Sequence, residues 1–249
     1  MKTLINNQKI NQINKDIEIS KTIFLPEILK DENVVGVLFT GSRVIGDENV
    51  NSDYDFRVLL KDGADRYRKG FYINNLFAET YCNCYVQEIS YLANEITQGN
   101  FKCIDLFMYK TGVIIFDPTF KMSEIKSKAI ELYDLGPKPI SEKEIDWIRY
   151  DLAINKLKLE GLDSSKDCLF YILDLQYKLF DYFFKLYNVW TVRSRQMDEK
   201  VVSIDPLFYN QLKQISDSNL THQKIELLIK TIQHLQNKFK LEESIEFSL

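Results

Sequence analysis

Two short apolar runs in the first quarter of the chain constrain its fold most. Residues 34–39 are rich in valine, and residues 56–60 form a second apolar run soon afterwards. Both runs have the length and the β-branched or aromatic content of strands. The segment between them carries Gly41-Ser42 and then Asp53-Tyr54-Asp55. The sequence therefore predicts two strands joined by a connection that holds chemically active side chains.

The two aspartates are placed to act as a pair. Successive side chains of an extended chain point to opposite faces, so Asp53 and Asp55 share one face and Tyr54 lies on the other. Two adjacent carboxylates repel each other, and a divalent cation relieves that repulsion. Carboxylates together with substrate phosphates are the ligands that Mg²⁺ prefers. A glycine at 41 lets the backbone approach closely, and amides at the start of a helix favour anions, so Gly41 and Ser42 are candidate phosphate ligands.

This stretch resembles the signature of the nucleotidyltransferase superfamily that includes polymerase β and the antibiotic nucleotidyltransferases. In that family a Gly-Ser pair ends a strand and opens a helix, and an Asp-x-Asp arrangement begins the next strand. The resemblance is carried by residues 41–46, Gly-Ser-Arg-Val-Ile-Gly, and residues 52–56, Ser-Asp-Tyr-Asp-Phe. It implies that Asp53 and Asp55 hold two Mg²⁺ ions. It also implies that Gly41, Ser42 and Arg43 bind the phosphates of a nucleoside triphosphate, with ATP as the expected co-substrate.

The family needs a third carboxylate, and the sequence offers Glu79 and Glu88. Residues 76–81 alternate like a strand, with Phe77, Glu79 and Tyr81 on one face. An acid between large apolar residues of a strand is costly to bury unless it is paired or ligated. Glu88 falls in the first turn of a predicted helix, where its charge complements the helix dipole without a catalytic role. Glu79 is therefore the predicted third catalytic and metal-binding acid, and the alternative is a side chain that faces the rim of the site or forms a salt bridge.

Gly and Pro cluster at residues 136–139, which predicts a boundary between two domains. Before it, the patterns predict an opening helix at 16–31, strands at 54–60 and 71–82, and a turn at Asp117. Helical periodicity dominates after it, beginning with a capping box at Ser141 and Glu144. The predicted fold class is α+β, with a mixed-sheet catalytic domain at 1–135 and a helical bundle at 136–249. This order resembles aminoglycoside and lincosamide nucleotidyltransferases, in which the bundle lines the substrate cleft. The resemblance implies that Arg193 or Arg195 contacts the triphosphate, although an exposed turn with two solvated arginines is an equal alternative.

Composition narrows the class of partner. The 249-residue chain has a net charge of −4 and a pI near 5.4, which argues against an extended nucleic-acid surface. No apolar stretch has the length of a membrane span, and the first twenty residues lack the features of a signal peptide. The protein is therefore expected to be cytoplasmic, with reduced cysteines, as a monomer or homodimer without membrane or extended nucleic-acid partners.

The predicted function is Mg²⁺-dependent transfer of a nucleoside monophosphate, expected to be AMP, to a hydroxyl of a small acceptor such as an aminoglycoside. Pyrophosphate is the other product, and antibiotic resistance is the implied biological role. Two alternatives stay open at this level. One is transfer to a protein or an RNA end, as in antitoxin-like nucleotidyltransferases, and the other is a nucleotide-binding module that has lost catalysis.

Overall fold

The computed structural model describes residues 2–97, 103–162, 168–192 and 196–241. The chain divides into two compact units, the first ending at Leu135 and the second beginning at Gly136. The first unit contains a five-stranded sheet, and the described part of the second is built mainly from helices. The predicted α+β class, with a mixed sheet followed by helices, is confirmed.

The first unit alternates between helices and strands. It begins with α1 (Lys2–Ile19), a π-helical turn (Ser20–Phe24) and α2 (Leu25–Ile28). The strands are β1 (Val34–Thr40), β2 (Tyr54–Leu60), β3 (Tyr67–Ile73), β4 (Leu76–Cys84) and β5 (Val113–Phe116). The remaining helices are α3 (Ser42–Ile45), α4 (Tyr85–Thr97), α5 (Ile104–Thr111) and α6 (Lys121–Leu135).

The sheet has the strand order β3-β4-β2-β1-β5. β2 and β4 run parallel, whereas the pairs β1 with β2, β1 with β5 and β3 with β4 are antiparallel. The parallel pair lies in the middle of this order. The first two residues of β2 lie beside the third and fourth residues of β4, with Tyr54 opposite Ala78 and Asp55 opposite Glu79.

One face of the sheet carries an aromatic core. Phe24, at the end of the π-helical turn, has its ring centroid 4.7 Å from that of Tyr54 and 5.7 Å from that of Phe56. Phe39 of β1 completes the group, and all four side chains are almost fully buried. Burying a side chain of this size stabilises the fold by about 1.5–3 kcal/mol. Because Tyr54 and Phe56 are held on this face, their neighbour Asp55 must point to the other one.

The segment predicted as one strand at 71–82 is instead a hairpin of β3 and β4. Asn74 and Asn75 form its turn, with φ values of 50° and 65°. Asparagine tolerates this left-handed region better than most residues, and two such residues in succession match the tight turns of hairpins. The correction matters because β3 then lies beside the strand that carries Glu79.

Other predicted features of the first unit are present, but the opening helix has different bounds. The opening helix is longer than the predicted 16–31, and Pro26 is accommodated at the start of α2 after the π-helical turn. Asp117, predicted as a turn residue, accepts hydrogen bonds from the backbone N–H groups of Met122 and Ser123 at the start of α6. These bonds satisfy donors that a helix start leaves open.

The second unit contains α7 (Glu142–Glu160), α8 (Leu169–Leu186), α9 (Met197–Ile204), α10 (Pro206–Asp217) and α11 (Thr221–Phe239). The predicted capping box at α7 is present, with Ser141 and Glu144 bonded reciprocally. Asp205 begins α10 and lies at the centre of a buried polar group. Its carboxylate accepts hydrogen bonds from the Tyr187 hydroxyl at 2.5 Å and from the Phe208 backbone N–H at 3.1 Å, and it lies 2.6 Å from His234 Nε2.

All four cysteines are free, and three of them are buried. In the described part of the chain, no helix is both long enough and apolar enough to cross a membrane.

Candidate active site

Three carboxylates converge at one end of the parallel strand pair. Asp53 directly precedes β2, Asp55 is its second residue, and Glu79 lies opposite Asp55 on β4. One carboxylate oxygen from each residue lies within 4.8 Å of those from the other two. All three side chains are partly exposed. The structure thus brings together the three acids that the sequence analysis singled out, in a group we call the acidic triad.

Gly41 makes room for the triad. It lies between β1 and α3 with φ at +89°, a backbone conformation that side-chain-bearing residues rarely adopt. A Cβ atom placed there would lie 2.0 Å from Asp55 Oδ2 and 2.9 Å from Asp55 Cγ. Glycine is therefore required both by the turn and by the position of the Asp55 carboxylate.

Arg43 holds the loop that delivers Asp53. Its guanidinium donates to the backbone carbonyls of Ser52 and Asp53, with Nε 3.1 Å from each oxygen. It also forms a buried ion pair with Asp16 at 3.3 Å and lies over the ring of Tyr54, 4.2 Å from its centroid. These contacts engage the guanidinium inside the protein. These contacts support a structural role for Arg43. Its role as a phosphate ligand stays a prediction, and the contacts do not favour it.

Two arginines flank the triad on the same face of the sheet. Arg68 of β3 binds one oxygen of Glu79 through two nitrogens, with Nε at 2.9 Å and Nη2 at 2.6 Å from Oε1. The guanidiniums of Arg68 and Arg57 each lie 4.4 Å from the ring centroid of Tyr81. Arg57 is buried and is also paired with Asp105 of α5. The hydrogen bond to Glu79 is the main cause that raises the pKa of Arg68 above its ordinary value, and the charge of Asp55 adds to it.

Glu88, the alternative third acid, belongs to a different cluster. Its carboxylate accepts hydrogen bonds from the Asn83 amide and the Tyr109 hydroxyl, both at 2.8 Å. The side chain is buried, and Tyr109 is nearly inaccessible to solvent. Burial, together with the charge of Glu88, raises the pKa of Tyr109 well above its ordinary value. Glu88 therefore links the start of α4 to Asn83 of β4 and to Tyr109 of α5, and it is not part of the acidic triad.

The remaining predicted phosphate ligands are only partly described. Ser42 is buried and is the first residue of α3, a helix of only four residues whose dipole is correspondingly small. Arg193 and Arg195 lie outside the described residues. Their contact with a triphosphate stays a prediction.

The donor set of the triad suits a hard divalent cation. It consists entirely of carboxylate oxygens, and Mg²⁺ takes oxygen ligands, with one or two carboxylates supplemented by water or phosphate. Partial exposure leaves room for those additional ligands. The set lacks the thiolate and imidazole ligands that characterise structural zinc sites.

The contact of Arg68 with Glu79, and the stacking of two guanidiniums on Tyr81, were not predicted from the sequence. The residue pattern of β3 and the Asn74-Asn75 turn are the signals that could have revealed a hairpin. In this antiparallel hairpin Arg68 lies opposite Tyr81, and Gly70 lies opposite Glu79. Arg68 and Glu79 are therefore diagonal neighbours on one face of the sheet. The ion pair with Glu79 could then have been predicted from the register.

The comparisons with known proteins found a similar structure but no matching sequence. No protein-family model matches the sequence, and no curated protein is similar to it. Its structure is similar to that of a nucleotidyltransferase-like protein from Exiguobacterium sibiricum 255-15, with a TM-score of 0.49 and 15% sequence identity. The similarity covers 91% of this chain and 76% of that chain. At this identity and TM-score the likeness carries no argument about activity.

Proposed function

We propose that this protein is a nucleotidyltransferase that transfers a nucleoside monophosphate, AMP in the first instance, from a nucleoside triphosphate to a hydroxyl group. The observation that carries the proposal is the acidic triad. One oxygen from each acid lies within 4.8 Å of those from the other two, at the start of β2 and on its parallel neighbour β4, beside a glycine that leaves space for Asp55. Phosphoryl-type transfer depends mainly on positioning and charge neutralisation, and such a triad supplies both once cations are bound.

Each residue has a distinct role in this proposal. Asp53 and Asp55 would hold divalent cations, expected to be two Mg²⁺ ions. Bound there, such ions supply neutralisation of phosphate charge and activation of the acceptor hydroxyl. Glu79 accepts the proton from that hydroxyl or completes the ligand set. Gly41 and Ser42 present backbone amides to the terminal phosphates.

The reaction forms one bond and breaks one. The acceptor oxygen bonds to the α-phosphorus of the triphosphate as the bond from that phosphorus to the bridging oxygen breaks. Pyrophosphate departs with the electron pair of the broken bond. The acceptor proton passes to a base, for which Glu79 is the nearest candidate of the triad.

The acceptor is proposed to be a small hydroxylated molecule such as an aminoglycoside. The acidic balance of the chain supports this choice, since a net charge of −4 suits a cationic or neutral acceptor better than a polyanion. An aminoglycoside acceptor would make antibiotic resistance the biological role.

A screen of nucleotides against acceptors tests the proposal. The four common triphosphates, labelled on the α-phosphorus, are incubated with Mg²⁺ and with aminoglycosides, lincosamides, the protein itself and short RNAs. We expect label to move from ATP to a small acceptor, and Asp53→Asn and Asp55→Asn to abolish the transfer. Label on protein or RNA would favour the antitoxin-like alternative. Transfer that survives both substitutions would refute the catalytic role of the triad.

A further inference from the structure

The guanidinium of Arg68 occupies one oxygen of a carboxylate that the proposed metal site needs. Both of its close contacts go to Glu79 Oε1, at 2.9 Å and 2.6 Å. That same carboxylate lies within 4.8 Å of the oxygens of Asp53 and Asp55. The guanidinium and a divalent cation are therefore attracted to the same carboxylates.

Arg68 is placed to hold this position and also to leave it. Its side chain is 57% exposed and belongs to β3, an edge strand, so little packing opposes rotation of its head group. The face of the guanidinium rests on Tyr81, whose ring also contacts Arg57. Stacking of a guanidinium on an aromatic ring is weakly favourable at exposed sites. The ring thus offers Arg68 a support that does not depend on Glu79.

We infer that Arg68 is the resident counter-cation of the acidic triad, and that a divalent cation must displace it from Glu79 in order to bind. The inference rests on the proposed function only in taking the triad as the metal site. Arg68 then has a positioning role that governs metal affinity: in the metal-free protein it holds the Glu79 carboxylate in place, and it competes with the incoming ion.

The direction of the effect follows from charge. Replacing Arg68 with glutamine removes a positive charge next to the site and also removes the ion pair that metal binding has to break. Exposed ion pairs contribute up to about 1 kcal/mol, so we expect Arg68→Gln to tighten Mn²⁺ binding by about fivefold. Arg68→Lys keeps the charge but loses the planar fork, so its affinity should lie between the two. Because exposed charges are screened by salt, the difference between wild type and Arg68→Gln should shrink at high ionic strength.

Lys69→Gln is the matched control. Lys69 is the next residue of β3, is exposed, and lies opposite Thr80, so its side chain belongs to the other face of the sheet. Its substitution removes the same charge from the same strand without touching Glu79. We expect Mn²⁺ affinity to change by less than about twofold, as for a distant exposed charge.

The experiment measures Mn²⁺ binding to the full chain without nucleotide, by the loss of the free-ion signal in electron paramagnetic resonance. Tighter binding by Arg68→Gln, with Lys69→Gln unchanged, supports the inference. Equal or weaker binding by Arg68→Gln overturns it, because Arg68 would then have no competing role. If no variant binds Mn²⁺, the metal site itself is refuted. Nucleotide transfer measured on the same preparations tells a failure of this inference from a failure of the proposed function.

Discussion

Gly41→Ala offers a sharp test of how the fold constructs the triad. The new methyl group would lie 2.0 Å from Asp55 Oδ2, whereas ordinary van der Waals contact begins at 3.4 Å. The carboxylate must therefore retreat by a distance on the order of 1 Å, which is the scale at which misplaced catalytic groups lose about 100-fold in rate. The φ of +89° with a ψ of −162° is a backbone conformation that is almost confined to glycine, and it adds a strain on the order of 1–3 kcal/mol for a residue with a Cβ atom.

Gly63→Ala separates the two effects. Gly63 has the same φ of +89°, yet a Cβ atom there would meet nothing within 4 Å. Both variants should lose stability in urea unfolding, by about 1 kcal/mol or more, because both place a Cβ atom at a positive φ. Only Gly41→Ala should also weaken Mn²⁺ binding, by about 10- to 100-fold, and reduce nucleotide transfer. If Gly41→Ala binds Mn²⁺ as tightly as Gly63→Ala does, the argument that glycine makes room for Asp55 is wrong.

Three further predictions concern other residues. Arg43→Ala should destabilise the protein by about 3–5 kcal/mol in urea unfolding, because it leaves the carboxylate of Asp16 buried with the Tyr54 hydroxyl but without its cationic partner; a raised KM for the nucleotide with unchanged stability would instead indicate a phosphate ligand. Glu79→Gln should abolish transfer with little change in melting temperature, whereas Glu88→Gln should lower the melting temperature and leave transfer measurable. Burial acts to raise the pKa of Asp205, but its hydrogen bonds outweigh burial and hold that pKa below its ordinary value. The stability it contributes is therefore present above its unfolded pKa of about 3.9 and is lost as pH falls through the lower folded value. The stability difference between wild type and Asp205→Asn should accordingly be about 1–3 kcal/mol at pH 7 and shrink towards pH 3, and a difference independent of pH would contradict this.

The local part of the site could be predicted from the sequence because it depends on alternation. Asp53 and Asp55 share a face of an extended chain wherever that chain is placed, and Glu79 stands out as an acid between large apolar residues. The aromatic neighbours Tyr54 and Phe56 set which face is buried. These rules need no knowledge of distant contacts.

What could not be predicted depends on pairing between distant segments. The parallel alignment of β2 with β4 brings Asp55 opposite Glu79 only because β3 and β4 form a hairpin. The residues of this hairpin had been predicted as one continuous strand. The buried pair of Arg43 with Asp16 joins residues 27 positions apart. Propensity and periodicity carry no information on such contacts, so the ion pair of Arg43 with Asp16 could not be predicted from the sequence.

The bond that breaks in the triphosphate tests the central claim most directly. ATP labelled on its α-phosphorus and ATP labelled on its γ-phosphorus are compared with the acceptor found in the screen, using wild type and Asp55→Asn. Nucleotidyl transfer predicts that only the α-label reaches the acceptor, that the γ-label leaves in pyrophosphate, and that Asp55→Asn prevents both. Transfer of the γ-label to the acceptor, or release of the γ-label as inorganic phosphate alone, would contradict the proposed function.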